Sequence, residues 1–185
     1  LSLPSFGLDP DIFNELARGL GGILHNGAQL SQMASYAQLS ATNVGGTREV
    51  LRLATLDQSV RVEFISSVSV FEAAEYRNCE ILEDQDLDAW QGIHIGYSQT
   101  KWVSERLVLE AGRKGLPITV YRPPLIGGHS RTGHWNEGDL LQRLLQGCLA
   151  LGQAPQLAWE LDLVPVDYVS NSVSISVSKS VSVSV

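Results

Sequence analysis

Along the first 125 residues, short apolar runs alternate with longer segments whose apolar positions recur every three or four residues. That alternation predicts strand and helix in turn. Asp9-Pro10 opens a helix to about Arg18, with the proline in the first turn where its missing N–H is harmless, and Gly19, Gly21 and Gly22 break it. A short buried strand follows at Gly22-Ile23-Leu24-His25. A long helix runs from Ser35 to Ala54, with Leu39, Val44, Val50, Leu51 and Leu53 among its apolar positions. The pattern then predicts a strand over Val60 to Ser66, a helix from Tyr97 to about Gly112 and a strand over Ile118 to Tyr121. Each predicted strand is continuously apolar, as expected where both faces of a sheet are covered.

Strands separated by helices imply right-handed crossovers and an α/β fold, a doubly wound parallel sheet of Rossmann type. Ligands bind such sheets at the carboxyl ends of the strands. His25-Asn26-Gly27-Ala28, Ser66-Ser67 and Arg122-Pro123-Pro124 all directly follow strand segments, so their polar groups are expected along one edge. From Ser172 to Val185 the chain is almost wholly alternating Ser and Val. This low-complexity tail, 171–185, suits a strand by its period and is expected to lie outside the domain that fills 1–170.

The chain has 185 residues, 44% hydrophobic and 18% charged, with a net charge of −7. That composition suits a globular domain, and scattered Lys and Arg argue against a nucleic-acid partner. No run approaches the length of a membrane span. Cys79 and Cys148 lie far apart without metal-ligand spacing, which suits thiols of a reducing, cytoplasmic compartment, and the dispersed His25, His94, His129 and His134 suggest no metal. Leu1 rather than Met opens the chain, so an internal piece of something longer is expected.

Tyr97 and Lys101 stand four apart in Gly96-Tyr97-Ser98-Gln99-Thr100-Lys101 and so share a helix face. A phenol has a pKa of about 10, and a neighbouring ammonium lowers it toward a usable acid. Ser67 supplies a hydroxyl where the preceding strand ends. Ser, Tyr and Lys in that order suggest carbonyl chemistry.

Together these segments resemble the extended short-chain dehydrogenase/reductases. More narrowly they resemble the thioester reductase domains of non-ribosomal peptide synthetases, polyketide synthases and carboxylic acid reductases. The resemblance is carried by Leu1-Ser2-Leu3-Pro4, His25-Asn26-Gly27-Ala28, Asn43-Val44-Gly45-Gly46-Thr47, Ser66-Ser67-Val68-Ser69-Val70-Phe71, Gly96 to Lys101, Tyr121-Arg122-Pro123, Gly147-Cys148 and Pro165-Val166-Asp167-Tyr168-Val169. It implies hydride transfer from NADP, with NAD as the alternative, to an acyl thioester on the phosphopantetheine arm of a carrier domain. The product is an aldehyde, which some relatives reduce again to an alcohol.

The same resemblance implies the roles of residues. Tyr97 gives the proton and Ser67 a hydrogen bond. Lys101 holds the nicotinamide ribose and lowers the Tyr97 pKa, and Asn43 orients Lys101 through water. His25, Asn26, Gly27 and Ala28 run beneath the adenosine half, with Ser66, Tyr97 and Lys101 also among the cofactor contacts. Pro123 and Pro124 fix the backbone so that the Leu125 and Ile126 amides are free for the carboxamide. Arg122 reads as a strand-end ion pair, His129 to Gly138 as a substrate loop, and Trp90, Trp102, Trp135 and Trp159 as packing.

Two departures stand out. The glycine-rich GxxGxxG turn is absent, since Gly19-Leu20-Gly21-Gly22 has neither its spacing nor its position; that phosphate-binding part is expected to precede Leu1. The helical end of the substrate domain is replaced by the Ser-Val tail. The alternatives are a sugar-nucleotide epimerase or dehydratase of the same superfamily, or a catalytically inactive fragment.

Overall fold

The computed structural model describes residues 1–156 and 160–181 and forms two compact units, Leu1–Arg122 and Pro123–Val185. Trp159 and the tail beyond 181 lie outside the described residues.

In the first unit, β1 (Gly22–His25), β2 (Arg61–Ile65) and β3 (Ile118–Tyr121) form a parallel sheet in that order. Registers of Gly22 on Arg61 and Val62 on Ile118 bring the carboxyl ends of all three strands to one edge. Helix α1 (Pro10–Arg18) begins on Asp9, whose carboxylate accepts the Asp11 N–H at 2.9 Å. The predicted long helix forms from Tyr36 to Ala54 in three parts: α2 (Tyr36–Ser40), a π-helical turn (Ala41–Gly45) and α3 (Gly46–Ala54). At its start Gln38 Oε1 accepts the Ser35 N–H at 2.9 Å. A wide turn of this kind marks functional sites more often than plain helix does.

Two apolar clusters fix α3 and α1 on the sheet. Val50 and Ala54 pack with Val60, Val62 and Leu116, while Phe13 and Ala17 meet Leu53. Helix α4 (Gly96–Arg113) follows a long irregular segment for which the sequence pattern predicted nothing. Side chains of α4 tie that segment down. Trp102 donates its indole N–H to the Ala89 carbonyl at 3.0 Å and packs against Ala73, Ala89 and Ile93. Arg106 holds the Leu87 carbonyl at 3.0 Å and Arg113 the Asp86 carboxylate at 3.1 Å. Trp102 is thus the packing residue expected of it, whereas Trp90 is 59% exposed and is not. Its neighbours Leu87 and Ala89 fill the buried positions of that stretch instead.

In the second unit, β4 (Leu125–Gly127) pairs in parallel with β5 (Leu163–Pro165), and α5 (Leu140–Leu151) lies between them in the chain. Asp139 caps α5 by accepting the Leu141 and Gln142 amides, and Gly152 ends it at φ 65°, a conformation that suits glycine. The last helix, α6, covers Val166–Val181. Its second half corrects the expectation of a strand for the Ser-Val repeat. The Ser172, Ser174 and Ser178 hydroxyls donate to the carbonyls four residues back, at 2.8–2.9 Å, so serines of the repeat are satisfied within a helix.

Candidate active site

The sheet edge of the first unit gathers most of the residues singled out from the sequence. Ser67 follows β2 in extended backbone, φ −159° and ψ 150°. Its Oγ accepts the Ser69 N–H at 3.2 Å, which leaves the hydroxyl proton uncommitted. Ser66 differs. Its buried hydroxyl donates to a Glu105 carboxylate oxygen.

Gly96 starts α4 against the backbone of Ala34–Tyr36. A Cβ there would meet the Ala34 carbonyl oxygen, and would lie 2.6 Å from both the Ser35 carbonyl carbon and the Tyr36 nitrogen. Only glycine lets the amino ends of α2 and α4 come this close. Gly96→Ala is therefore expected to destabilise the domain by about 1–3 kcal/mol and, by displacing Tyr97, to lower turnover by about tenfold or more. Denaturant melts and steady-state rates check both parts, and wild-type values in each would refute it.

Downstream of Gly96, Tyr97 and Lys101 lie one turn apart on α4. Lys101 is 5% exposed; its Nζ donates to the Ile65 carbonyl at 2.5 Å and sits 4.6 Å from the centre of the Phe64 ring. Burial lowers its pKa from 10.5 to about 8, with the Glu105 carboxylate opposing the fall. The expected acidification of Tyr97 is not what the structure gives. Burial pushes the phenol above its ordinary value, because removing a phenolate from water costs more than the lysine returns while its ammonium faces a carbonyl and an aromatic ring. Tyr97 stays protonated through neutral pH.

Asn43 reaches α4 directly. Its side-chain N–H groups donate to Thr100 Oγ1 at 2.9 Å and to the Gln29 carbonyl at 3.0 Å, while its Oδ1 accepts the Gln29 N–H at 2.7 Å. Thr100 in turn donates to the Tyr97 carbonyl at 2.8 Å. The π-helical turn is thus joined directly to the first turn of α4 through Thr100, the neighbour of Lys101.

His25 closes β1 and is 5% exposed. Burial first, and the Lys101 charge second, lower its pKa from 6.5 to about 4, so it is neutral at neutral pH. Thr47 gives its hydroxyl proton to the Asn43 carbonyl at 2.7 Å. The 3.1 Å contact between His25 Nε2 and Thr47 Oγ1 must therefore run from His25, which fixes the Nε2–H tautomer and leaves Nδ1 as an acceptor. A Cβ on Gly27 would lie 2.5 Å from Leu1 Cδ1, so the small residues after His25 admit a close neighbour, here a flexible side chain.

Arg122 forms the expected ion pair at the end of β3, with Glu105. Pro123, Pro124, Leu125 and Ile126 belong to the second unit. There the expectation of two free amides is corrected, since the Leu125 N–H donates to the Asp162 carbonyl at 3.1 Å as β4 pairs with β5. In the His129 to Gly138 loop, Ser130 donates its N–H and its hydroxyl to Asp167 at 2.8 and 2.7 Å, and these bonds hold the Asp167 carboxyl below the usual range.

Glu105 was missed in the sequence, and Gly96 and Thr100 were quoted only as part of the Tyr97–Lys101 segment, without the roles they have here. For Glu105 the signal was its spacing, one turn beyond Lys101. Among the described residues no group of three or more His, Cys, Asp or Glu could hold a metal, and no helix is long and apolar enough to cross a membrane.

The family model for an NAD-binding domain described as Male sterility protein matches residues 1–173. Glycine betaine reductase ATRR of Emericella nidulans is 42% identical over 177 residues, covering 94% of this chain and 14% of that protein. Isonitrile lipopeptide synthase of Streptomyces coeruleorubidus is 38% identical over 172 residues, 93% of this chain and 12% of its own length. Among solved structures, the terminal R domain from the myxalamid PKS-NRPS biosynthetic pathway superposes with a TM-score of 0.89 at 44% identity, covering 94% of this chain and 44% of that one. The chain thus spans less than half the length of each of these relatives.

Proposed function

This chain belongs to the Male sterility protein family of NAD-binding domains, and from that premise we propose that it carries the catalytic residues of an NADPH-dependent reductase releasing a carrier-bound acyl thioester as an aldehyde. The observation that carries the reading is the set of available protons at the sheet edge: the Ser67 hydroxyl, the Tyr97 phenol, and a Lys101 ammonium with one of its three protons on Ile65. Relatives named as a reductase, a lipopeptide synthase and a terminal R domain favour reduction of a thioester over the epimerase or dehydratase reading.

The residues present suit a nicotinamide nucleotide. The two remaining Lys101 protons match ribose hydroxyls, and the neutral His25 beside Gly27 leaves a close, uncharged surface after β1. Bound there, the nicotinamide supplies the hydride. As the thioester carbonyl carbon becomes tetrahedral, its oxygen gains charge, and Ser67 offers a hydrogen bond already in place. Tyr97 transfers its phenolic proton to that oxygen. Its undepressed pKa is no obstacle, because the alkoxide is a far stronger base than a phenolate. Collapse of the resulting hemithioacetal breaks the carbon–sulfur bond, giving the aldehyde and the phosphopantetheine thiol.

The test uses the full-length protein with an acyl-pantetheine thioester and either NADPH or NADH, following reduced-nicotinamide absorbance and aldehyde formation together. One aldehyde and one thiol per NADPH oxidised are expected, with NADH slower. Turnover of a UDP-sugar without net oxidation of cofactor would replace this reading with the epimerase one.

A further inference from the structure

Three charged side chains follow one another down α4 and the end of β3 in a way the chemistry above does not use. Lys101 and Glu105 are one helical turn apart, and both reach the end of β2. Lys101 takes the Ile65 carbonyl, and Glu105 takes the Ser66 hydroxyl, so adjacent residues of the strand end are held from the same helix. The two Glu105 oxygens divide their partners. Oε2 receives Ser66, whereas Oε1 receives Arg122 Nε at 2.8 Å and Nη2 at 2.7 Å. Arg122 also donates to the Glu83 carbonyl at 3.0 Å and stacks 4.9 Å above the Phe71 ring.

Glu105 is fully buried. A buried ion pair is usually no more stabilising than apolar side chains of the same volume, so stability alone does not account for it. Direction does. Every proton this carboxylate accepts comes from a fixed donor, and one of them belongs to the residue beside Ser67. With its proton given to Glu105, Ser66 cannot compete with Ser67 for a substrate oxygen.

We propose that Glu105 and Arg122 are a positioning pair: they lock the Ser66–Ser67 turn and the Lys101 ammonium together, so that Ser67 and not Ser66 presents its proton to the carbonyl. The groups bearing on Lys101 are Glu105 and Tyr97 on its own helix and His25 on β1, with Arg122 reached through Glu105. Among them the Glu105 carboxylate is the group that opposes the fall in the Lys101 pKa.

This inference rests on the reductase reading, and its test separates the two. In the full-length protein, Glu105→Gln is expected to shift the titration of Lys101 to lower pH, followed by ¹³C NMR at its Cε, a signal that needs no turnover. It is also expected to cut kcat by about tenfold or more through misplacement of Ser67, with the cofactor dissociation constant, read at a pH below the variant's own Lys101 titration where the ammonium is kept, changed by less than about threefold. An inactive wild-type protein would sink the reductase reading, while the NMR titration would still decide the pair. A Lys101 titration at the wild-type pH in Glu105→Gln, or wild-type kcat in that variant, overturns the proposal. If the single variant does not fold, Glu105→Leu with Arg122→Met removes both charges without stranding either. Folded protein with kcat still depressed supports positioning; folded protein with wild-type kcat shows a merely structural pair.

Discussion

Replacing Tyr97 by Phe is expected to lower thioester reduction by about 10²- to 10⁴-fold and to leave cofactor affinity within about twofold of wild type. The ring is retained, so the packing that keeps α4 in place against α2 through Gly96 is undisturbed. What is lost is one proton on a phenol that burial keeps protonated at neutral pH. Ser67 remains to stabilise the developing oxyanion, which sets a floor on the loss. Stopped-flow measurement of reduced-nicotinamide oxidation, paired with equilibrium titration of the cofactor, reads the two quantities separately. Weakened cofactor binding with unchanged turnover would remove Tyr97 from the role of proton donor and make it a binding residue.

The sheet and its crossovers were readable because each element of the first unit has one strong period. The strand over Ile118–Tyr121 matches its predicted bounds, and α4 differs from its prediction by one residue at either end. The irregular chain before Gly96 was not readable. It has no period because side chains of α4 and Arg122 hold its carbonyls, and those donors are far away in sequence. The Ser-Val repeat misled for a related reason. Alternation reports a strand only when something pairs with it, and here the serine hydroxyls are satisfied along a helix that begins at Val166.

Within the proposed site, residue types and spacing singled out Ser67, Tyr97 and Lys101 but not what surrounds them. Whether Lys101 acidifies Tyr97 or is itself depressed depends on burial, a property of the packed domain that spacing does not carry. No physical reason in the sequence assigned Ser67 to catalysis and Ser66 to the cofactor. Only the Glu105 carboxylate, one turn past Lys101, distinguishes the hydroxyl that is committed from the one that is available.

Lys101→Met should trade function for stability. Without the ammonium, kcat/KM for the cofactor is expected to fall by about 10- to 100-fold, the loss of hydrogen bonds from a charged donor. Yet the native state carries a cost for burying that charge. A pKa lowered from 10.5 to about 8 corresponds to roughly 3 kcal/mol, the balance of burial against the opposing Glu105 carboxylate. Below pH 8 the lysine is charged folded and unfolded, so the cost is present in full and the methionine variant should be the more stable by about 1 kcal/mol or more. Between about pH 8 and 10.5 the unfolded chain keeps a proton that the folded one has released, and wild-type stability should rise relative to the variant. Cofactor affinity must move the other way, since the ammonium that holds the ribose is lost above about pH 8. Denaturant midpoints and kcat/KM across that window test the linkage: a variant with wild-type cofactor affinity, or a stability difference flat in pH, would show that the Lys101 charge is neither the anchor nor the cost.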